Sequence, residues 1–456
     1  MKLRLSSKDG SRRHRKSAYV LVSGLALSMG MIVTGGISSA APRPAAIHHG
    51  NAGPLVVWVD ATRKPMLQAY MKAHPSQKIS MVIFDADANG SGTMQTKVSL
   101  FNRTGHGWPD VIFSAEQNDV TSLADPTFHY AGALNSLIPT SVLNNFAKGS
   151  LAPCYIGTTL YCLRNDLAFD VLWYNAPAMK LFGYKVPTTW QQWQAIGENV
   201  AKNHPGYIIG SLGNSYDDSV YLQAAGCPIN ELLTPTKLLD NPSSPNCTRM
   251  ANLLNPLAKD GSVPAVSGGV FGSSFDQKYS ARVLMMVGPA WYGGSIFAPS
   301  SALNIPKGQM AAAPPLQWAG SSQKLTGDVG GGLWIISSHT TQPKAAAALV
   351  TWMATNSASQ FLSPGYPAYK PVAGKWIAKE DASGYYVNPL APVFAQAAGQ
   401  VWAGWSQTRY DVYGIWNSTV SPGLLEGKSV SSLIPGFAAS IKNYAMTDGY
   451  TVVSHP

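Results

Sequence analysis

From residue 55 onward, short apolar runs alternate with stretches of helical spacing. Leu55–Val59 is apolar and largely β-branched, and the amphipathic stretch that follows it ends at His74-Pro75. The pair recurs as a strand pattern at 79–84 and a helical pattern at 93–101, before a third strand pattern at 109–113. Strands that alternate with helices predict an α/β fold with a mainly parallel, doubly wound sheet.

The same alternation continues through the middle of the chain and then changes character. Beyond residue 363 the sequence becomes irregular and Pro-rich, and from 389 it has helical stretches interrupted by aromatic residues. A chain of this length is expected to form two domains or one elaborated domain. The later predicted elements are strands at 171–174, 208–209, 283–287 and 333–336 and a helix at 345–353.

Polar side chains follow each of the first three predicted strands. In doubly wound sheets ligands bind beyond the carboxyl ends of the strands, so these positions are candidate contacts. Each one alone also fits a turn or a helix cap, but three polar strand ends together favour a binding site. They are Asp60 with Arg63, Asp85 with Asp87, and Ser114 with Glu116 and Gln117.

The N-terminus has the pattern of a secretory signal peptide. A basic segment up to Lys16 precedes an uncharged apolar run at 18–33, and small residues allow cleavage after Ala40. An uncleaved anchor is the alternative, although the run is shorter than the roughly 20 residues of a membrane-spanning helix. We therefore predict a signal peptide at 1–40 and a flexible lead-in at 41–53.

The net charge and the aromatic content of the chain argue against nucleic acid as a ligand and favour sugars. The net charge of +10 falls to about +4 without residues 1–40, and the remaining chain has no basic run. The sequence therefore lacks the cluster of basic residues that a nucleic-acid-binding surface requires. The 13 Trp and 20 Tyr residues provide flat apolar faces of the kind that stack on sugars, although most of the Trp residues are expected to fill the core.

The four cysteines favour two disulfides in an exported chain. Three pairings are possible, and we prefer Cys154–Cys162 with Cys227–Cys247 because partners close in sequence meet with the least rearrangement. Neither spacing matches a structural zinc site, and no metal or other cofactor is expected.

Several segments resemble one family in their order and spacing. They are PDVIFSA at 109–115, AGALNSL at 131–137, VLWYN at 171–175, VPTTWQQW at 186–193, MMVGPAWYG at 285–293, GDVGGGLWIIS at 327–337 and KAAAALVTWM at 344–353. The sequence from about 54 to 440 thereby resembles the carbohydrate-type extracellular solute-binding proteins of ABC importers, the maltose-binding-protein-like group.

This resemblance implies a two-lobed periplasmic-binding-protein-like fold, with a sheet flanked by helices in each lobe and the ligand in the cleft between them. The first lobe would comprise 54–165 with 314–360, the second 166–313 with 361–456, and hinges would lie near Asp166 and Pro314. The implied partners are a small carbohydrate and the membrane permease subunits of an ABC importer, for a protein that acts as a monomer and is not an enzyme.

The candidate ligand contacts come from the strand ends and from positions similar to the family's contacts. Trp291 or Tyr292 would stack on a sugar, and the backbone at Gly331 would approach the ligand. The full set is Asp60, Arg63, Asp85, Glu116, Asn165, Asp166, Trp291, Tyr292, Gly331, Tyr366, Trp405 and Tyr410.

The sequence also departs from the family and leaves alternatives open. No Cys follows the signal peptide, so we expect a periplasmic, extracellular or cell-surface protein without a lipid anchor. Ser114 replaces an aromatic residue of some oligosaccharide binders. One alternative is a secreted glycoside hydrolase whose acid and base would be Asp85 with Asp87, or Asp60 with Glu116. The other is capture of a non-sugar ligand such as a polyamine, a phosphorylated compound or ferric iron, the last through Tyr385-Tyr386.

Overall fold

The computed structural model describes residues 53–85, 92–405 and 407–456. The predicted signal peptide and nearly all of the predicted lead-in lie outside these ranges. Among the helices of the described ranges, none is both long and apolar enough to span a membrane.

Short strands are spread along the whole described chain. In chain order they are β1 (Leu55–Val59), β2 (Ile79–Ile83), β3 (Val111–Ser114), β4 (Tyr155–Ile156), β5 (Thr159–Leu160), β6 (Cys162–Arg164), β7 (Asp166–Leu167), β8 (Asp170–Asn175), β9 (Glu231–Thr234), β10 (Lys237–Leu239), β11 (Met285–Pro289), β12 (Met310–Ala313), β13 (Leu333–Ile336), β14 (Tyr366–Pro367) and β15 (Thr451–Val453).

Helices connect and cover the strands, with 3-10 turns at Ala152–Cys154 and Gly269–Phe271 and a π-helical turn at Gly293–Phe297. The α-helices are α1 (Lys64–Ala73), α2 (Thr93–Thr104), α3 (Asp119–Ala124), α4 (Thr140–Leu143), α5 (Ala176–Leu181), α6 (Trp190–Asn203), α7 (Ser215–Ala225), α8 (Pro245–Asp260), α9 (Ser273–Tyr279), α10 (Pro343–Thr355), α11 (Ser357–Gln360), α12 (Lys370–Ser383), α13 (Ala391–Ala398), α14 (Val412–Thr419), α15 (Ser421–Leu425) and α16 (Val430–Thr447).

The first hydrophobic core is built around a five-stranded sheet of order β2-β1-β3-β13-β6. The pairs β1–β2 and β1–β3 are parallel, as the alternating pattern predicts, whereas β13 runs antiparallel to both of its neighbours. The side chains of β3 and β13 are all buried, as is typical of strands that are covered on both faces. The carboxyl ends of β1, β2 and β3 therefore lie at one edge, where a site can form.

The second core surrounds the fully buried Trp173 of β8. Its sheet has the order β11-β8-β12, and both pairings are antiparallel. The predicted mainly parallel arrangement therefore does not extend to this sheet, because an apolar strand buried on both faces has the same pattern in either direction. The strand predicted at 208–209 is wrong, since Ile208 makes only an isolated bridge to Val283.

The chain crosses between the two cores at three neighbouring places. It leaves the first core after Leu163, returns between Val329 and Leu333, and leaves again after Ala368. The crossings are bonded side by side, since Asn165 N donates to Gly332 O at 2.7 Å and Ala368 N donates to Asn165 O at 3.2 Å. The predicted lobe bounds stay a prediction. We refer to the first and second lobe by these two cores and to the crossings as the hinge.

Both predicted disulfides are confirmed. Cys154–Cys162 joins the 3-10 turn before β4 to the first residue of β6 in the first lobe, and Cys227–Cys247 joins the segment just after α7 to α8 in the second. Each bond joins residues of a single core, so neither restrains one lobe against the other.

Candidate functional site

A cavity of about 280 Å³ lies between the two cores, beside the hinge. It opens at the carboxyl ends of β1 and β2, where the sequence places polar side chains. A larger cavity of about 740 Å³ is lined by residues of the second lobe alone. The residues that line the cavity between the cores are Asp60, Thr62, Arg63, Asp85, Ala115, Asp166, Tyr216, Phe271, Trp291, Ser295, Ile296 and Gly330–Gly332.

The first-lobe wall is a polar cluster at the start of α1. Asp60 Oδ1 accepts from Arg63 N at 2.6 Å, and Asp60 Oδ2 accepts from the Arg63 guanidinium at 3.1 Å. Asp85 joins β2 to the same turn by accepting from Ala61 N at 2.6 Å. The Arg63 guanidinium also lies 4.3 Å from the ring centroid of Phe113, which holds it flat against the wall.

The hinge supplies the cavity with a buried carboxylate and a glycine-lined edge. Asp166 is 1% exposed, and its Oδ1 accepts from Gly332 N at 3.1 Å and lies 3.9 Å from Arg63. Gly331 has a φ of 85°, and a side chain there would collide with the guanidinium of Arg164. Glycine at 331 therefore lets Arg164 pass beneath the cavity and leaves main chain as the cavity's edge.

The second-lobe wall is aromatic. The rings of Trp291 and Phe271 are stacked at an interplanar angle of 27°, with their centroids 5.9 Å apart. The indole N–H of Trp291 donates to Val329 O at 2.9 Å, which fixes the ring from behind. Tyr216 packs edge-on against both rings. Phe271 is 40% exposed, so an apolar ring and the polar wall line the same cavity.

Asp217 positions this aromatic wall from within the second lobe. Its Oδ2 accepts from Ser211 Oγ at 2.6 Å and from Val270 N at 3.0 Å, directly before Phe271. Its Oδ1 accepts from the Tyr292 hydroxyl at 3.2 Å. Burial is the main cause that raises the pKa of Asp217 to about 6, and these hydrogen bonds act in the opposite direction.

A direct contact closes the cavity on one side. The Tyr216 hydroxyl donates to Glu116 Oε1 at 2.8 Å and lies 3.2 Å from Ala115 O, so the second lobe touches the loop after β3. Burial and the nearby Glu116 raise the pKa of Tyr216 well above its ordinary value, so its hydroxyl remains a donor. Further contacts between the lobes are Asn118 with Tyr410 O, Gln117 with Gln407, and Asp125 with Arg409.

The structure brings six of the predicted contacts to the cavity wall. These are Asp60, Arg63, Asp85, Asp166, Trp291 and Gly331. Glu116 is 2% exposed and lies behind the wall, where it binds Tyr216.

The other predicted contacts lie elsewhere. Asn165 is fully buried in the hinge, where its Oδ1 accepts from Trp334 and Gln360. Tyr292 is buried against Asp217, and Tyr366 packs against Phe169, Trp376 and Phe394. Tyr410 donates to Asn230 at 2.6 Å, and Trp405 packs near Tyr413. The tyrosines proposed for iron also lie outside the cavity, since Tyr385 donates to Ile305 O and Tyr386 packs on Trp173.

Sequence reasoning missed the aromatic partners of Trp291. Phe271 lies in the 3-10 turn Gly269–Phe271, and its position depends on Gly269, where a side chain would collide with Asp217. Tyr216 lies in the first turn of α7, whose residues are all buried, so the sequence pattern there indicates only core. The Gly268-Gly269 pair, both with positive φ, is the feature that could have marked this loop.

The comparison with known families agrees with this architecture. Residues 57–360 match the family described as bacterial extracellular solute-binding protein. The chain belongs to this family. No curated protein sequence gives a significant match to this solute-binding protein.

Solved structures share the fold at low sequence identity. The galacto-N-biose/lacto-N-biose I-binding protein of the ABC transporter from Bifidobacterium longum, in complex with lacto-N-biose, is 17% identical with a TM-score of 0.71, and the match covers 89% of this chain and 100% of that chain. An ABC transporter associated binding protein from B. animalis subsp. lactis Bl-04, in complex with beta-1,6-galactobiose, is 15% identical with a TM-score of 0.74, covering 88% and 100%.

A third similar structure is the cyclic alpha-maltosyl-1,6-maltose binding protein from Arthrobacter globiformis. It is 16% identical with a TM-score of 0.65, and the match covers 87% of this chain and 100% of that chain. These likenesses confirm the predicted fold class, an α/β fold of two lobes with a cleft between them.

Proposed function

We propose that this solute-binding protein captures a small saccharide in the cavity between its lobes and delivers it to an ABC importer. The observation that carries the proposal is the pairing of a stacked Trp291–Phe271 wall with an opposite wall of carboxylates and a guanidinium. Sugars have apolar C–H faces and hydroxyl edges, and this cavity offers a partner for each. The similar structures named above were solved with, or named for, saccharides, which supports the same class of ligand.

In this proposal each wall has a separate role. The aromatic rings bind the C–H face of a sugar ring, while Asp60, Asp85 and Asp166 accept hydrogen bonds from hydroxyls. The cavity of about 280 Å³ has the volume of about nine molecules of liquid water, which favours a small saccharide over a long chain. A ligand that touches both walls stabilises the closed arrangement of the lobes, and closure reports occupancy to the importer.

The proposal also covers where the protein acts, its oligomeric state and its partners. We place the protein outside the cytoplasm, in a periplasm or at the cell surface, as a monomer that binds permease subunits and catalyses no reaction. Glu116, one of the carboxylates considered for hydrolysis, binds Tyr216 and lies outside the cavity, which supports binding without catalysis. Release of reducing ends from a glycan panel by the purified protein would contradict this part of the proposal.

Ligand screening by thermal unfolding, followed by calorimetry on each hit, tests the proposal. A saccharide that binds the native state raises the apparent stability. Phe271→Ala and Trp291→Ala are expected to weaken binding by at least about 30-fold, the effect of losing about 2 kcal/mol at a central aromatic contact. Trp318→Ala is the matched control, because Trp318 stacks on Arg249 outside the cavity.

The two test variants separate binding from folding. Trp291 is 8% exposed and belongs to the second core, so its removal also lowers stability, whereas Phe271 is 40% exposed and its removal spares the core. A panel of mono- and oligosaccharides that leaves the unfolding temperature unchanged would refute the proposal. So would full affinity in Phe271→Ala together with Trp291→Ala.

A further inference from the structure

The charges that line the cavity are unequal. Asp60, Asp85 and Asp166 contribute three carboxylates, and Arg63 is the basic side chain among the described residues of the lining. The lining therefore has a surplus of negative charge, which an approaching ligand meets at close range.

Arg63 cannot offset this surplus for a ligand, because its charge is already engaged. It forms an ion pair with Asp60 at 3.1 Å, lies 3.9 Å from Asp166, and stacks on Phe113. Its side chain is 12% exposed. An anionic ligand that approached this guanidinium would lie beside the carboxylates of Asp60 and Asp166, which repel it.

The next basic side chain is occupied in the same way. Arg164 is 1% exposed beneath Gly331, where it pairs with Asp328 at 3.1 Å and donates to Asp166 O at 2.7 Å. The main-chain N–H of Gly332, which could bind an anion, donates instead to Asp166 Oδ1. Arg164 and the N–H of Gly332 thus serve acceptors of this protein.

One acceptor of the lining, by contrast, lacks a donor. Asp166 is 1% exposed, and within the described residues its Oδ2 has no hydrogen-bond donor. A buried carboxylate oxygen without a donor is unfavourable, and a ligand that brings a hydroxyl or an ammonium group relieves that cost. A ligand that brings a carboxylate, sulfate or phosphate adds another acceptor and another negative charge.

We propose that the cavity selects saccharides by charge: it accepts neutral sugars, binds those with a protonated amine more tightly, and rejects uronic acids and sulfated or phosphorylated sugars. The inference rests on the proposed function, and it adds the charge class of the ligand. Arg63 acts here as a positioning residue that holds Asp60 and Asp166 in the wall rather than as an anion receptor.

Matched sugars that differ only in charge test the inference. The probes are galactose, galactosamine and galacturonate, with glucose, glucosamine and glucuronate as a second series, in calorimetry and thermal unfolding. In the series that binds, the uronate is expected to bind at least about 30-fold more weakly than the neutral sugar, which corresponds to about 2 kcal/mol, and the amine more tightly than the neutral sugar. Added salt is expected to reduce both differences.

Asp85→Asn provides the test within the protein. Asp85 is exposed at the rim and accepts from Ala61 N, and asparagine keeps that acceptor while it removes the charge. The ratio of the dissociation constant of the uronate to that of the neutral sugar is expected to fall about threefold to tenfold. The effect is no larger because solvent screens the charge of the exposed Asp85. Glu198→Gln is the matched control, because Glu198 is an exposed acid on α6 outside the cavity.

Each outcome separates the two proposals. A uronate that binds as tightly as its neutral partner would overturn the charge selection and leave saccharide capture intact. A ratio that stays constant in Asp85→Asn, or that changes equally in Glu198→Gln, would overturn the charge explanation. If no sugar of any charge binds, in these series or in the wider saccharide panel, the proposed function fails and this inference fails with it.

Discussion

The hydrogen bond from Tyr216 to Glu116 joins the two lobes, so its removal measures how much this contact favours closure. Both side chains are buried, and the donor–acceptor distance is 2.8 Å. A hydrogen bond to a charged group contributes about 1.5–3 kcal/mol. If the open form lacks the bond, Tyr216→Phe disfavours closure by that amount and raises the dissociation constant for a cavity ligand by about 10- to 150-fold.

The assay combines calorimetry with small-angle scattering. Tyr216→Phe and Glu116→Gln are measured singly and together, with the saccharide that gives the largest thermal shift. The unliganded variants are expected to have a larger radius of gyration than the unliganded wild type, because the lobes open more often. Tyr130→Phe is the matched control, since its hydroxyl donates to Pro109 O at 2.9 Å within the first lobe, and its affinity is expected to stay unchanged.

The double variant tests the mechanism itself. If Glu116 acts through Tyr216, the second substitution adds little once the first is made. Fully additive losses would show that Glu116 contacts the ligand directly, as its place after β3 suggests in the sequence. Unchanged affinity and unchanged scattering in both single variants would show that this contact does not favour closure, and the argument would be refuted.

Three further substitutions test the fold around the site. Burial raises the pKa of Asp217 from 3.8 to about 6. Below about pH 4 the side chain is protonated in both the native and the unfolded state, and as the pH rises through about 6 the cost of ionising it in the native state lowers stability. The free energy of unfolding of wild type should therefore fall by up to about 3 kcal/mol relative to that of Asp217→Asn between these limits. Urea unfolding at both pH values measures this, and a constant difference would contradict it. Replacing Cys227 and Cys247 with serine should lower the free energy of unfolding by about 3 kcal/mol without changing ligand affinity, and equal denaturation midpoints would refute that estimate. Arg164→Met leaves Asp328 without its buried partner and should cost about 3–5 kcal/mol in thermal unfolding, whereas wild-type stability would show that the pair contributes nothing.

The polar wall of the candidate site could be predicted from the sequence, because the topology of a parallel sheet determines where it lies. Parallel strands end at one edge of a sheet, so Asp60, Arg63 and Asp85 meet there. Glu116 follows the same rule in sequence, yet the turn after β3 directs it to Tyr216. The strand pattern locates a residue beyond a strand, but it does not give the direction of the side chain after a turn.

The aromatic half was only partly predictable, because its members come from unrelated parts of the second lobe. Trp291 follows the end of β11, whereas Phe271 lies in a 3-10 turn held by Asp217. The order of strands in the second sheet was equally hidden, since burial on both faces leaves no pattern that distinguishes parallel from antiparallel pairing. Local patterns gave the elements, and long-range packing decided which of them meet.

The threefold crossing of the chain also governs the order in which the lobes can fold. β13 lies between β3 and β6 in the first sheet, yet it follows the whole second-lobe segment from 168 to 329. Because synthesis starts at the N-terminus, β3 and β6 are made before β13, and until then no strand lies between them. Their unpaired edges are open to wrong pairing until residue 336 has emerged. The first lobe, although its strands begin the chain, therefore cannot complete its sheet until the whole second-lobe segment 168–329 has been synthesised.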